Sequence, residues 1–169
     1  MIHNPSAGDD SQPSGPHIVE MISAAGHKVK YQSTKDKDWK KALKKGGDVI
    51  AVAGGDGAVG KVARRLVDRR IPIAILPVGT ANNIAHALGL TGLALDSLIG
   101  EWDSARRVNF DVGEAKGPWG STYFIEGVGV GLFAETILNI GGGKDPTLAA
   151  AVSRDEEITR VLEILKKQL

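Results

Sequence analysis

Gly54-Gly55-Asp56-Gly57 directly follows the apolar run Val49-Ile50-Ala51-Val52-Ala53, and Gly79-Thr80-Ala81-Asn82-Asn83 closely follows Ile71-Pro72-Ile73-Ala74-Ile75-Leu76. Both clusters have the residue types that hold phosphate. A phosphate group needs backbone N–H donors turned toward it, and glycine lets the chain approach closely because it has no Cβ and a free φ. A helix starting at Ala58 would add the positive end of its dipole. Asp56 is the chemically active member of the first cluster. A carboxylate beside phosphates is repulsive unless a cation bridges the two, and Mg²⁺, which keeps its waters and takes few carboxylates, is the natural bridge. The alternative for Asp56 is an N-cap in a tight strand–helix turn. In the second cluster the Thr80 hydroxyl and the Asn82 and Asn83 amides can donate to phosphate or ribose oxygens. One of the two asparagines can equally serve as the N-cap of the next helix.

These turns need strands and helices to hold them. Val49–Ala53 is too uniformly apolar for a half-exposed strand and reads as a buried one. Helices are expected over His17–Ala25, closed by Gly26, over Asp36–Lys45, closed by Gly46-Gly47, over Ala58–Val67, over Asn82–Leu88, closed by Gly89, and over Gly92–Ile99. Strands are expected over Lys28–Ser33 and Ile71–Leu76. Met1-Ile2-His3 is too short for a central strand of about 5–6 residues and reads as a stub. Strand–helix alternation through Leu98 argues for an α/β fold, a three-layer open and mostly parallel sheet with helices on both faces. In such sheets ligands bind at the carboxyl ends of the strands, where both glycine turns fall. Near Ser104 the texture changes. Arg107–Glu114 and Ser121–Val130 read as a hairpin around Lys116-Gly117-Pro118-Trp119-Gly120, and Arg154–Leu169 reads as an amphipathic helix.

Together the motifs resemble the nucleotide-binding half of the diacylglycerol kinase catalytic family, which includes lipid and sphingosine kinases. The residues that carry the likeness are Gly54-Gly55-Asp56-Gly57, Leu76-Pro77-Val78-Gly79-Thr80-Ala81-Asn82-Asn83-Ile84-Ala85 and Asn4-Pro5-Ser6-Ala7-Gly8. The resemblance covers roughly Met1 to Leu138 and implies two regions, a nucleotide-binding α/β domain over 1–104 and, over 105–169, the start of an incomplete antiparallel β-sandwich lobe with the C-terminal helix. It further implies ATP and Mg²⁺ bound by Asn4, Gly54, Gly55, Asp56, Gly57, Gly79, Thr80, Asn82 and Asn83. Asp56 would be the catalytic and metal residue, and Asn4 would line the purine or ribose. The γ-phosphoryl group would go to a lipid hydroxyl such as that of diacylglycerol. The chain departs from the family at several positions. Ala58 stands where Thr is usual, Gly60-Lys61 where Asn-Glu is frequent, Asn83 where Asp is common, and Phe133 where Asp is often found. The family's base lies in a later Asp-Gly-Glu segment that does not occur in this chain. Glu126 and Glu135 lie near the lobe junction without context that marks either as a base. The isolated chain is therefore expected to bind nucleotide weakly and to transfer little phosphate. An NAD kinase-like enzyme, which shares Gly-Gly-Asp-Gly, and a degenerate nucleotide-binding module are the alternatives.

Composition narrows the partners. Apolar residues make up 42% and charged residues 24%, an ordinary soluble balance. A formal net charge of +1 offers no field for nucleic acid. The absence of cysteine excludes disulfides and fits a cytoplasmic protein. No stretch approaches the ~20 apolar residues of a membrane span. A basic stripe, Lys35, Lys37, Lys40, Lys41, Lys44 and Lys45, reads as a solvated helix face, with peripheral contact at the inner membrane surface as its alternative. His3, His17, His27 and His86 show no metal-ligand spacing. Unpaired edges in an incomplete β lobe would be relieved by a homodimer.

Overall fold

The computed structural model describes residues 1–118 and 120–129. Their elements are β1 (Ile2–His3), α1 (Gly15–Ala24), β2 (Gln32–Ser33), α2 (Trp39–Lys45), β3 (Ile50–Gly54), α3 (Asp56–Leu66), β4 (Ile73–Pro77), α4 (Asn83–Ala87), α5 (Leu95–Gly100), β5 (Gly113–Gly117) and β6 (Gly120–Phe124). Met1–Glu126 forms one compact unit that takes in the β5–β6 hairpin.

The first apolar run becomes β3, buried on both faces because successive side chains point to opposite sides of the sheet, while the second becomes β4, half-buried except at Leu76. Ile50 and Val52 of β3 face the core that holds Trp39, Leu43, Val59, Val62, Leu66 and Ile84, whereas Ala53 faces the core of Ile18, Ile22, Leu76, Val78 and Ile99. Helices α2, α3 and α4 therefore cover one face, and α1 and α5 cover the other. The sheet is parallel in the order β2-β1-β3-β4, with Val52 opposite both Ile2 and Ile75. This is the α/β architecture expected from the strand–helix alternation, followed by a separate two-stranded antiparallel sheet.

Several expectations need correction: the strand expected over Lys28–Ser33 contracts to Gln32–Ser33, and the helices expected from Asp36 and Gly92 begin at Trp39 and Leu95. The first strand is only two residues long, yet it lies inside the sheet between β2 and β3. Its neighbours extend the pairing past its ends: Gln32 N–H donates to Met1 O at 3.0 Å, Thr34 N–H to His3 O at 2.8 Å, and Asn4 N–H to Ala53 O at 2.9 Å. Helix α1 starts at Gly15, not His17, because the Ser14 hydroxyl accepts from His17 N–H at 3.4 Å and Pro16 suits the first turn. The hairpin is shifted. Residues 107–112 form no strand, and Lys116 and Gly117, expected in the turn, are paired, with Gly117 opposite Gly120 and Gly113 opposite Phe124. The register brings the Phe124 ring directly over Gly113, where a Cβ would overlap it. The tail helix over 154–169, Phe133 and Glu135 lie outside the described residues.

Candidate functional site

Because β1, β3 and β4 are parallel, the segments that leave their carboxyl ends emerge side by side. These segments begin at Asn4, Gly55 and Val78. Their contact is tight enough to require glycine. A Cβ on Gly79 would overlap Gly55 Cα and sit 2.7 Å from Gly55 N and 2.8 Å from Asn82 Oδ1. Gly8, at φ +73°, packs a bare Cα against Val78 O. A Cβ on Gly54 would lie 2.7 Å from Ala58 Cβ and 3.4 Å from Asn4 Cβ. The first loop thus touches both glycine turns, and those turns touch each other. The segments meet largely main chain to main chain, the kind of surface that offers N–H groups to an anion.

Asp56 is the first residue of α3 but does not cap it. Gly55 is the N-cap, and Ala58 and Val59 N–H donate to Gly55 O at 2.9 and 3.1 Å. The Asp56 carboxylate reaches across to α4. Asn83 N–H donates to Asp56 Oδ2 at 3.0 Å, and Ile84 N–H donates to Asp56 Oδ1 at 2.9 Å. The aspartate is an N-cap, as one sequence reading had it, but for the helix of the other turn. Each oxygen retains lone-pair capacity beyond that one bond. A single carboxylate with lone pairs to spare is a donor that would suit Mg²⁺, which takes few carboxylates and keeps its waters. The described residues contain no group of three or more His, Cys, Asp or Glu that would cage a metal directly.

Asn82 occupies the N-cap position of α4 in the left-handed conformation (φ 51°, ψ 41°) and makes no side-chain cap bond. It staples its own turn instead. Its Oδ1 accepts from Gly79 N–H at 3.1 Å, and its Nδ2 donates to Gly79 O at 2.6 Å and Pro77 O at 3.3 Å. With Asn82 so occupied, Thr80 and the Asn83 side chain are the exposed polar groups of that turn. Asn4 is half-buried, and its Oδ1 accepts from Ser6 N–H and the Thr34 hydroxyl, both at 3.3 Å, which ties the first loop to the end of β2. Gly57 is exposed in the first turn of α3. All nine residues singled out in the sequence therefore sit on these three loops.

Other residues fall elsewhere. His86 is exposed with Nδ1 3.2 Å from Thr91 Oγ1. Lys41 and Lys45 line a hollow with Met1, Lys30, Val49 and Ile50, at the amino ends of the strands and so opposite the loops. Glu126 is the residue that sequence reasoning left unmarked. Partial burial raises its carboxyl above the usual range, the nearby Asp56 charge raises it further, and the Asn83 side chain partly offsets both. Glu126 is brought there by Ile125, which packs on the α3 core, with Cδ1 3.5 Å from where a Gly60 Cβ would stand. No local pattern announces such a meeting, because Glu126 follows a hairpin strand far along the chain.

Comparison with known proteins agrees with this geometry. A family model for the diacylglycerol kinase catalytic domain matches residues 1–115, which include all three loops. A diacylglycerol kinase of Bacillus subtilis is 28% identical over 152 residues, covering 83% of this chain and 48% of the relative. One from Staphylococcus carnosus is 28% identical over 136 residues, 74% of this chain and 42% of the relative. One from Mycobacterium tuberculosis is 33% identical over 76 residues, 45% of this chain and 23% of the relative. The matches thus span less than half the length of each of these relatives. Among the described residues no helix is long and apolar enough to cross a membrane. With the matched region covering β1 through α5 and the three converging loops, the chain belongs to the diacylglycerol kinase catalytic domain family.

Proposed function

We propose that this chain is the nucleotide-binding part of a lipid kinase that uses ATP with Mg²⁺ and transfers the γ-phosphoryl group to a lipid hydroxyl such as that of diacylglycerol. The observation that carries the reading is the convergence of the loops from β1, β3 and β4, with Gly79 packed on Gly55 so closely that no side chain fits between. Such a main-chain cradle suits a polyphosphate, and the names of the relatives supply the reaction class. Gly55, Gly57 and Gly79 let the backbone approach the phosphates, and the start of α3 directs N–H groups toward negative charge. Asp56 holds α4 against the first turn through two main-chain bonds, and its remaining lone pairs would be available to hold a hydrated Mg²⁺. Thr80 and Asn83 offer a hydroxyl and an amide to phosphate oxygens. Asn4, next to Gly54, borders the sugar or base. When bound, Mg²⁺ neutralises charge on the transferring phosphoryl group.

Calorimetric titration of ATP in the presence of Mg²⁺ tests the donor half of this reading. Saturable binding is expected, and its absence would overturn the nucleotide assignment. A radiolabel assay that offers diacylglycerol and NAD to a longer protein containing this chain tests the acceptor. Label in the lipid is expected, and label in NAD alone would move the protein to the NAD kinase reaction.

A further inference from the structure

We propose that the exposed face formed by α2 and the carboxyl-terminal end of α3 docks on an anionic membrane surface, so that the domain lies on its side there. Residues 34–48 and 61–70 carry eleven Lys and Arg against four Asp, a net charge of +7 in a chain whose total is +1. Packing joins the two segments into one face. Trp39, Ala42 and Leu43 turn α2 inward onto the core, which leaves Lys40, Lys41, Lys44 and Lys45 exposed. Arg65 reaches back from α3, its guanidinium 5.1 Å from the Trp39 ring centroid. Arg69 donates to Leu43 O at 2.6 Å, in the last turn of α2. Arg64 and Arg70, next to them in the chain, are exposed as well. Among the described residues the one ion pair on this face is Lys41–Asp38, so most of its charge is uncompensated.

Two features favour a bilayer over another polyanion. Val49 and Tyr31, 37% and 43% exposed, line one hollow with Lys30, Lys41 and Lys45. Apolar groups among lysines suit the headgroup boundary, where lysine stems and aromatic rings sit between water and hydrocarbon, whereas a phosphodiester backbone offers them nothing. The second feature is the course of the face. Helix α2 begins after β2, at the strand ends that bear the nucleotide loops, where the Thr34 hydroxyl donates to Asn4 Oδ1 at 3.3 Å. It ends just before the amino end of β3, so the face runs the height of the sheet. A bilayer along it comes up to the loops, where an acceptor hydroxyl at the bilayer surface has to arrive. That purpose rests on the lipid kinase reading above, while the docking itself needs no nucleotide. Each Lys or Arg close to an anionic leaflet contributes about fivefold in affinity, the equivalent of about 1 kcal/mol, and salt screens the effect.

The experiment is co-sedimentation of the whole chain with vesicles of phosphatidylcholine, alone or mixed with phosphatidylglycerol, at low and high salt. The wild type is expected to bind the mixed vesicles, to ignore pure phosphatidylcholine and to dissociate as salt rises. Lys40→Gln/Lys44→Gln keeps good helix formers in α2 and should weaken binding about twentyfold. Lys28→Gln/Arg106→Gln removes the same charge away from this face and should weaken it far less. Lys28 precedes Val29 and Arg106 follows Trp102, both packed on the side of α1 and α5. Equal losses in the two pairs, equal binding to both kinds of vesicle, or a preference for duplex DNA over the mixed vesicles would each overturn the proposal. If a variant does not fold, the wild type answers alone, and binding to the mixed vesicles that is absent or indifferent to salt overturns it. Calorimetric titration of ATP with Mg²⁺ on the same proteins keeps the two readings apart. Vesicle binding without ATP binding strikes the nucleotide reading and leaves the docking face, and ATP binding without vesicle binding does the reverse.

Discussion

The turn after β3 runs into an eleven-residue helix that no side chain caps, whereas the turn after β4 runs into a five-residue helix held by a carboxylate from the other turn. The difference follows from length. Helix α3 buries Val59, Val62 and Leu66 and can propagate from its own first turn. Helix α4 is too short to recover the cost of its nucleus, so it needs its first N–H groups satisfied from outside. The same asymmetry appears in the glycines. Gly79 has no room for a Cβ, while a Cβ on Gly55 would stand 3.2 Å from Gly79 Cα and 3.7 Å from Asn82 Oδ1. The second turn is the dependent one, and the first turn is its support.

The largest expected effect comes from filling the contact between them. Gly79→Val should lower stability by about 3 kcal/mol in urea unfolding and abolish nucleotide binding, because it must push the turns apart. Gly55→Ala should cost only about 1 kcal/mol. Equal costs at the two positions would break the asymmetry.

Removing the cross-cap comes next. Asp56→Ala should cost about 1–3 kcal/mol, since it leaves Asn83 and Ile84 N–H without their charged acceptor. Hydrogen exchange should speed up at those two amides and not at Ala58 and Val59 of α3. Asp56→Asn keeps one oxygen acceptor and should lose less. Faster exchange confined to α3 would reverse the roles assigned to the two turns.

A smaller change separates the two jobs of Asn82. Asn82→Gly loses the staple but accommodates φ 51°, whereas Asn82→Ala loses the staple and adds backbone strain. Alanine should be the worse by about 1 kcal/mol in unfolding experiments. The reverse order would show that the left-handed geometry is not what the turn requires.

The smallest effect lies outside both turns and calibrates them. His3 is buried under the first loop, 3.0 Å from the Tyr31 hydroxyl, and burial lowers its pKa. The unfolded chain therefore takes up this proton at a higher pH than the folded one. Stability should decline as pH falls below about 6.5 and level off once it passes below the folded pKa. His3→Gln should remove that slope in pH-dependent melting, while Asp56→Asn should leave it in place.

Much of this was legible in local pattern. Val49–Ala53 read as a buried strand, Ile71–Leu76 as the next strand, and Gly54–Gly57 and Gly79–Asn83 as the turns that follow. Helix ends were less legible, because caps such as Ser14 act on N–H groups two or three residues away. The hairpin register was misplaced by several residues, since its alternation fits more than one pairing and the packing of Phe124 on Gly113 selects between them.

The sequence by itself determined the fold class, the two glycine-rich turns and their place at the strand ends, because continuous apolar runs and glycine-rich stops are local properties of the chain. Only the tertiary structure decided that a two-residue strand lies inside the sheet and that Asp56 caps α4 across 27 positions of chain. Those outcomes depend on which N–H groups and which charges meet in space, and the parallel crossovers and packed helices bring together residues that no spacing along the chain relates.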